Sequence, residues 1–168
     1  AIANRLVGSE MCIRDSISHL IGIAKIAQAQ GKKVFLHLIT DGRDVSPTSA
    51  RKYIEEIESI CNENISIATI AGRFYTMDRD NRWERVEPGY RAIMDATPST
   101  ELSAAEYIKA SYAKDETDEF VLPSAFSGYK GVQEGDALIC INFRSDRVRE
   151  IVTALGDEKF DGFEREFK

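Results

Sequence analysis

Apolar residues recur along the chain with two different periods that alternate. A helix-like face is formed by Ile17, Leu20, Ile21 and Ala24, which follow one another at i, i+3, i+4 and i+7. Val34 to Ile39 (VFLHLI) is instead a continuous apolar run, which is typical of a strand covered on both faces of a parallel sheet. The same two patterns then repeat, so strands and helices are expected to alternate.

The predicted elements follow from these patterns and from turn and capping residues. They are helix faces at 17–24, 50–57, 83–94, 105–112 and 148–155, and strands at 34–39, 65–70, 120–122 and 137–142. Pro88-Gly89 is expected to kink or interrupt its helix, and a hairpin is one interpretation of residues 127–135. The order predicts an α/β fold: a mainly parallel sheet with helices on both faces, in a single domain of 168 residues.

Arginine without lysine is concentrated in three segments, and each of them follows a predicted strand. The segments are 41–44 (DGRD), 72–85 (GRFYTMDRDNRWER) and 142–149 (NFRSDRVR). A guanidinium grips a carboxylate or phosphate through two parallel hydrogen bonds. Because ligands of open α/β sheets bind at the carboxyl ends of the strands, an anion pocket is predicted there. Its candidate residues are Arg43, Arg73, Arg79, Arg144 and Arg147.

The acidic residues among these arginines have two candidate roles. Asp78 and Asp146 are expected to orient guanidiniums, whereas Asp44 could contact a substrate hydroxyl or exchange its proton. Arg85 is expected to be a scaffold or solvated charge. The competing interpretation is that all three segments carry ordinary surface ion pairs.

Composition excludes several classes of function. The net charge of −6 argues against a general nucleic-acid binder, whose binding face would be basic. Three widely spaced cysteines are typical of reduced thiols in a cytoplasmic protein. No apolar run approaches the ~20 residues that span a membrane. The two histidines, His19 and His37, have no clustered partners, so no metal site is predicted in this chain.

Four strings, in this order, resemble the cofactor-independent phosphoglycerate mutases: DGRD, AGRFYTMDRDNRWERVE, TDEFVLP and INFRSDRVRE. The resemblance runs from about Ser16 to the end of the chain. It implies the inserted, substrate-binding transferase domain of a glycolytic and gluconeogenic isomerase. In that family a separate phosphatase-like domain carries a nucleophilic serine and two divalent metals, manganese or magnesium. The family interconverts 3-phosphoglycerate and 2-phosphoglycerate through a phosphoserine, without 2,3-bisphosphoglycerate.

The resemblance also implies roles for residues and partners. Substrate contacts are expected at Arg43, Asp44, Arg73, Arg79, Arg144 and Arg147, with Asp44 as the candidate catalytic residue for proton transfer. The nucleophile and the metal ligands are expected outside this chain, which alone should bind no metal and be inactive. The expected partners are the two phosphoglycerates and the phosphatase-like domain. Nucleic acid and membrane are not expected, and the enzyme should be monomeric and cytoplasmic.

The beginning of the chain departs from the family pattern. Where the family reads GGVHSHxxHL, this chain reads CIRDSISHL, so Arg14, Asp15 and Ser16 replace the HSH triplet, whose first histidine lies in the family's substrate pocket. Residues 1–15 are therefore predicted to be a non-native or disordered leader. Residues 16–168 are predicted to be the transferase domain, truncated at both ends relative to the full enzyme.

Two interpretations from other classes remain open. The chain could be a stand-alone anion-binding module without chemistry of its own. It could also be the insert domain of another metal-dependent phosphomutase. Comparing the binding of phosphoglycerates with that of pentose phosphates separates the second of these from the mutase.

Overall fold

The structure is a computed structural model that describes residues 2–5, 17–142 and 144–165. Strands and helices alternate along most of the chain. In order, the elements are β1 (Ile2–Arg5), α1 (Ile17–Ala29), β2 (Val34–Thr40), α2 (Ala50–Glu58), β3 (Ile65–Gly72), α3 (Arg73–Thr76), α4 (Trp83–Asp95), β4 (Ser99–Thr100), α5 (Ala104–Tyr112), a 3₁₀ turn (Asp118–Phe120), β5 (Ser124–Phe126), β6 (Ile139–Ile141) and α6 (Ser145–Gly156).

The strands of the described residues form one sheet in the order β4-β5-β3-β2-β1-β6. β1 is parallel to both of its neighbours, and β2 is parallel to β3. β5 runs antiparallel to β3 and parallel to β4. The mainly parallel α/β sheet predicted from the sequence is therefore confirmed.

One face of the sheet carries the larger apolar cluster. Val34, Leu36 and Leu38 alternate along β2 and are almost completely buried, so their side chains point to the same face. Residues of three helices pack with them: Leu20 and Ala24 of α1, Ile54 and Ile57 of α2, and Ala104 and Ile108 of α5. The sequence predicts the apolar faces of all three of these helices.

Helices α4 and α6 cover the opposite face. Residues of the two helices pack together in a second cluster that contains Val86, Tyr90, Met94, Val148, Ile151 and Ala154. Both helices also line a small cavity with His37 of β2 and Thr69 of β3. Helices thus lie on both faces of the sheet, as predicted.

The segment after α5 differs from its prediction. The sequence predicts a strand at 120–122, but Asp118–Phe120 form a 3₁₀ turn and strand β5 lies at Ser124–Phe126. Phe120 and Leu122 are 45% and 46% exposed, so this apolar run does not mark a buried strand. Residues 127–135 contain turns and no strand, so they do not form a hairpin.

Helix α4 continues through Pro88, contrary to the expected interruption. A proline costs a helix one hydrogen bond, but Val86, Tyr90 and Ile93 around it are buried and hold the helix against its neighbours. Gly89 allows close packing on α3, since a Cβ there would lie 2.6 Å from Cγ2 of Thr76. The Pro-Gly pair therefore marks a tight helix contact rather than a helix end.

Ile2–Arg5 lies within residues 1–15, which the sequence analysis predicts to be a non-native or disordered leader. This segment forms β1, with Leu36–Ile39 of β2 and Ile139–Ile141 of β6 as its partners. Residues 6–15 lie outside the described residues. That residues 1–15 are non-native, and that residues 16–168 make up the truncated transferase domain, stay predictions.

The described helices are short compared with a membrane span. The longest, α1 and α4, have 13 residues each, whereas a bilayer needs ~20. None of the helices in the described part of the chain is both long and apolar enough to cross a membrane.

Gly72, the last residue of β3, lies against the backbone of the 3₁₀ segment. An added Cβ would lie 2.7 Å from the Val121 nitrogen and closer still to the Glu119 oxygen. We expect Gly72→Ala to lower the free energy of unfolding of the 168-residue chain by about 2–3 kcal/mol, measured by urea denaturation. The control is Gly22→Ala in α1, where nothing lies within 4 Å; it should be neutral or stabilising by up to about 1 kcal/mol. Equal effects of the two substitutions would contradict the steric argument.

His37 is buried in β2 and uncharged at neutral pH. Its Nδ1 lies 3.0 Å from the Thr69 hydroxyl, and its ring meets Tyr129 edge-on. Burial lowers the pKa of His37 from 6.5 to about 3. Because the folded-state pKa lies below the unfolded value, the unfolded chain takes up the proton first as the pH falls. His37 therefore contributes stability that is present above pH 6.5 and is lost as the pH falls toward 3.

We expect the free energy of unfolding to fall by about 2 kcal/mol between pH 7.5 and pH 5 because of His37 alone. His37→Gln, which cannot titrate, should remove this part of the loss in urea titrations at the two pH values. His19 is exposed, so His19→Gln should keep the full loss. A pH dependence unchanged in His37→Gln would show that this histidine is not the titrating group.

Candidate functional site

The three arginine segments meet at one edge of the sheet. β2, β3 and β6 run in the same direction, because β2 pairs in parallel with β3 and with β1, and β1 pairs in parallel with β6. Their carboxyl ends therefore lie side by side, which is where open α/β sheets bind ligands. Residues 41–44 follow β2, α3 follows β3, and Asn142 and Arg144 lie between β6 and α6, which begins at Ser145.

Arg73 is the most deeply buried arginine of the predicted set, with 3% of its side chain exposed. Its Nη1 donates to the buried Asp41 carboxylate and, at 3.1 Å, to Oδ2 of Asp44. Burial alone would lower the pKa of Arg73, but the ion pairs with Asp41 and Asp44 raise it. Asp41 also accepts the backbone N–H groups of Arg43 and Asp44, both at 3.4 Å. This pair therefore shapes the turn after β2 and joins it to the end of β3.

Asp146 orients two arginines, as the sequence predicts. Its Oδ1 accepts from Nε of Arg144 at 2.9 Å, and its Oδ2 accepts from Nη1 of Arg79 at 3.3 Å. The little burial it has favours a higher pKa for Asp146, but Arg144, Arg79 and Arg147 hold it below its usual value. The Asp146 carboxylate thus connects the arginine loop, which is residues 77–82 between α3 and α4, with the start of α6.

Arg147 lies half-buried within this group of cations. Its Nη1 donates to the Met77 carbonyl at 3.4 Å, while its buried Nε has no hydrogen-bond partner among the described residues. Burial lowers the pKa of Arg147, and repulsion from Arg73, Arg79 and Arg144 lowers it further. Arg73, Arg79 and Arg144 are therefore close enough to Arg147 to repel it, and Asp146 offsets only part of that repulsion.

Arg43 and Asp44 occupy different parts of this edge. Arg43 is 64% exposed at its side chain and lies 3.6 Å from the Glu119 carboxylate. Asp44 is half-exposed and touches Arg73. The structure therefore brings together Asp44, Arg73, Arg79, Arg144 and Arg147, and leaves Arg43 on the outer rim.

Asp118 is a site residue that sequence reasoning missed. It is 1% exposed and accepts from the Ala50 amide at 2.8 Å, from the Ser49 hydroxyl at 3.4 Å and from the Tyr112 hydroxyl. Burial raises the pKa of Asp118, and these hydrogen bonds oppose that shift. Asp118 thereby fixes the start of α2, where the segment that begins with Asp41 ends. In the sequence, the string TDEFVLP contains Asp118 and resembles the family pattern, so it could have pointed to this residue.

Arg85 belongs to the scaffold of the arginine loop. Its guanidinium lies 4.2 Å above the Phe74 ring, and its Nη1 is 3.8 Å from the buried Asp78 carboxylate. Asp78 also accepts the Asp80 and Arg82 amides, both at 3.0 Å. Asp78 therefore shapes the loop that carries Arg79, in addition to facing a guanidinium as predicted.

Divalent metals need several oxygen or nitrogen ligands around one point. Within the residues that the structure describes, no group of three His, Cys, Asp or Glu side chains could hold a metal ion. The family resemblance implies that the metal pair is held by a separate domain, so no chemical step is assigned to a metal here.

The geometry defines a class: an α/β domain with an arginine-rich site at the carboxyl ends of its parallel strands. The chain belongs to the family described as "BPG-independent PGAM N-terminus", which matches residues 7–168. The family resemblance in the four sequence strings is thereby confirmed.

Individual relatives agree with this family. The protein named 2,3-bisphosphoglycerate-independent phosphoglycerate mutase in Sulfurimonas denitrificans is 60% identical over 153 residues, which are 91% of this chain and 31% of the relative. The protein of the same name in Helicobacter acinonychis is 51% identical over 154 residues, covering 92% and 31%. A crystal structure of Leishmania mexicana phosphoglycerate mutase at low cobalt concentration matches with a TM-score of 0.85 and 31% identity, over 96% of this chain and 32% of that one. The chain thus spans about a third of the length of these relatives.

Proposed function

We propose that this chain is the substrate-binding domain of a phosphoglycerate mutase that interconverts 3-phosphoglycerate and 2-phosphoglycerate without 2,3-bisphosphoglycerate. The observation that carries the proposal is Arg147, whose buried Nε lacks a partner among the described residues while three other guanidiniums repel it. An anionic ligand would relieve that repulsion and satisfy the donor. The names of the curated relatives supply the identity of the anion.

The substrate chemistry suits this set of donors. A phosphoglycerate carries a carboxylate and a phosphate, and both groups accept forked hydrogen bonds from guanidinium. We assign them to Arg79, Arg144 and Arg147. Asp146 holds Nε of Arg144 and Nη1 of Arg79, which leaves their remaining N–H groups for a ligand. Carboxylate-held guanidiniums bind without reorganising, which favours a fixed ligand orientation.

Asp44 and Arg73 would act together beside the ligand. Asp44 accepts from Arg73 at 3.1 Å and is still half-exposed at the edge of the site. We assign Asp44 to a substrate hydroxyl, where a carboxylate can accept and return a proton. Arg73 orients that carboxylate and adds its charge to the field around the ligand. Arg43, held by Glu119 on the rim, is assigned an outer contact.

In the reaction, this domain retains the glycerate and orients it. In the proposed cycle, the substrate phosphate passes to a serine of a separate phosphatase-like domain and then returns to the other hydroxyl of the glycerate. Glycerate must stay bound between the two transfers, and the arginine site holds it by its carboxylate. Holding a reactant in place converts an encounter between molecules into a step within one complex. A monomeric state and a cytoplasmic location stay predictions.

Lysine substitutions in the full-length protein that contains this domain test the site. We expect Arg144→Lys and Arg79→Lys to lower kcat/KM by about 10- to 100-fold, because an ammonium cannot both hold Asp146 and fork onto a ligand. Arg51→Lys is the matched control: Arg51 is exposed on α2 and pairs with Glu55 one turn away. It should change kcat/KM by less than about threefold. Equally small effects at all three positions would identify the site arginines as ordinary surface ion pairs.

The 168-residue chain alone should bind 3-phosphoglycerate without converting it. The motivation is the arginine site, together with the family's nucleophile and metals, which the resemblance places outside this segment. Calorimetric titration should detect binding that is lost in the double variant Arg144→Ala/Arg147→Ala, and enzymatic assay with manganese should find no 2-phosphoglycerate above the blank. Turnover that depends on the chain would overturn the division of labour between the domains. Binding of pentose phosphates in preference to phosphoglycerates would instead favour another phosphomutase.

A further inference from the structure

Helix α6 contacts the loop that carries Arg79 through two hydrogen bonds. Glu150 Oε1 accepts the Asn81 amide at 2.9 Å, and Arg147 Nη1 donates to the Met77 carbonyl at 3.4 Å. Asn81 has a positive φ of 56°, a left-handed conformation in which asparagine is enriched among non-glycine residues. Glu150 supplies the acceptor for the backbone amide of this tight turn.

Two carboxyl groups are buried together under this loop. Asp78 is 8% exposed and Glu150 is 7% exposed. Asp78 is well supplied with donors, since it accepts two backbone amides and faces Arg85. Glu150 accepts one amide through Oε1, but its buried Oε2 has no partner among the described residues. A buried oxygen without a donor destabilises the fold, and an ionised one destabilises it more.

We infer that Glu150 carries a proton on Oε2 and donates it to Asp78, so that the two carboxyls form a latch that positions the loop of Arg79. The shared proton satisfies the orphan oxygen and removes the repulsion between two buried anions. Glu150 is thus a positioning residue: it acts on the substrate site only through the loop.

The charges around the pair place the proton on Glu150 rather than on Asp78. From the loop, Asp78 and Asp80 repel a charge on Glu150, and on α4 Arg85 faces Asp78. On α6, Arg147 precedes Glu150 by three residues, and its Nη1 is directed at the Met77 carbonyl. Burial raises the pKa of Glu150, and the neighbouring Asp78 raises it further, while the Asn81 hydrogen bond opposes the shift.

The sign of the pH dependence follows from that direction. A group whose folded-state pKa is raised contributes stability below its unfolded value, and the contribution is lost as the pH rises through the folded value. For Glu150 the unfolded value is 4.5. Raising the pH through the higher folded-state value should therefore deprotonate the latch, create two adjacent buried carboxylates and loosen the loop of Arg79.

The proton can be observed in the 168-residue chain without any substrate. We expect the carbonyl stretch of a protonated carboxylic acid in the infrared spectrum at a pH where the exposed carboxyls are ionised. Glu150→Gln should remove the contribution of that carboxyl and leave any contribution of the buried Asp118, whose pKa is also raised. Glu134→Gln, at an exposed position, should keep the band. In the wild-type chain, ¹³C NMR titration of glutamate side chains should show one carboxyl titrating above the rest. This second measurement remains decisive if Glu150→Gln does not fold.

The effect on the substrate site is read from the full-length protein and rests on the proposed function. Glu150→Gln can still donate to Asp78 and accept from Asn81, so it should keep the wild-type KM and abolish the rise of KM with increasing pH. Glu150→Ala removes both contacts and should raise KM about tenfold, with a smaller change in kcat.

The outcomes separate this inference from the proposed function. If the infrared band and the NMR titration are present but KM does not respond, the latch exists and its link to substrate binding is wrong. If Glu150→Gln behaves like Glu150→Ala, or if all carboxyls of the chain titrate in the ordinary range, the shared proton is overturned. Neither spectroscopic result depends on what the arginine site binds.

Discussion

The buried ion pair between Arg73 and Asp41 is the interaction on which the arrangement of the site depends. Asp41 follows β2 and Arg73 follows β3, so the pair ties together the ends of two adjacent parallel strands. Both side chains are almost completely buried. Removing one partner of such a pair typically costs about 3–5 kcal/mol, because the other charge is left unpaired. Around this pair the backbone of the DGRD turn is arranged and Asp44 is oriented.

The other acidic residues repeat this principle without neutralising the site. The partly exposed Asp146 pairs with Arg79 and Arg144, whereas the buried Asp78 and Glu150 accept hydrogen bonds from backbone amides of the arginine loop. Arg147 nevertheless remains under repulsion from its neighbours, with a donor unused by the described residues. The guanidiniums are therefore held in place by carboxylates, which is the arrangement that the proposed anion site requires.

Close backbone contacts connect this site to distant parts of the chain. The Gly72 amide donates to the Val121 carbonyl at 2.7 Å, and the Thr40 hydroxyl donates to the Asp118 carbonyl at 2.5 Å. The 3₁₀ segment thus lies across the ends of β2 and β3. Its own residues hold Arg43 through Glu119 and the start of α2 through Asp118. A segment without regular strand or long helix therefore supports both sides of the arginine site.

The sequence by itself determined the fold class and the edge of the sheet where the site lies. Apolar periodicity is a local property, and the side chains of strands and helices obey it wherever an element is buried on a defined face. Because parallel strands end at one edge, three arginine segments after three strands had to converge. The same local signals failed at 120–122, where an apolar run is exposed, and at Pro88, where packing carries α4 through the proline.

Only the tertiary structure decided which charges meet. It placed Arg73 in a buried pair, left Arg43 on the rim with Glu119, and put Glu150 under a loop 69 residues away in the sequence. No period or motif encodes these pairings, because they depend on how α6 and the 3₁₀ segment pack against the strand ends. A guanidinium that lies about 3–4 Å from a carboxylate is occupied by that ion pair, whereas one without such a neighbour can bind a ligand. Those distances are set by the packing of the whole domain.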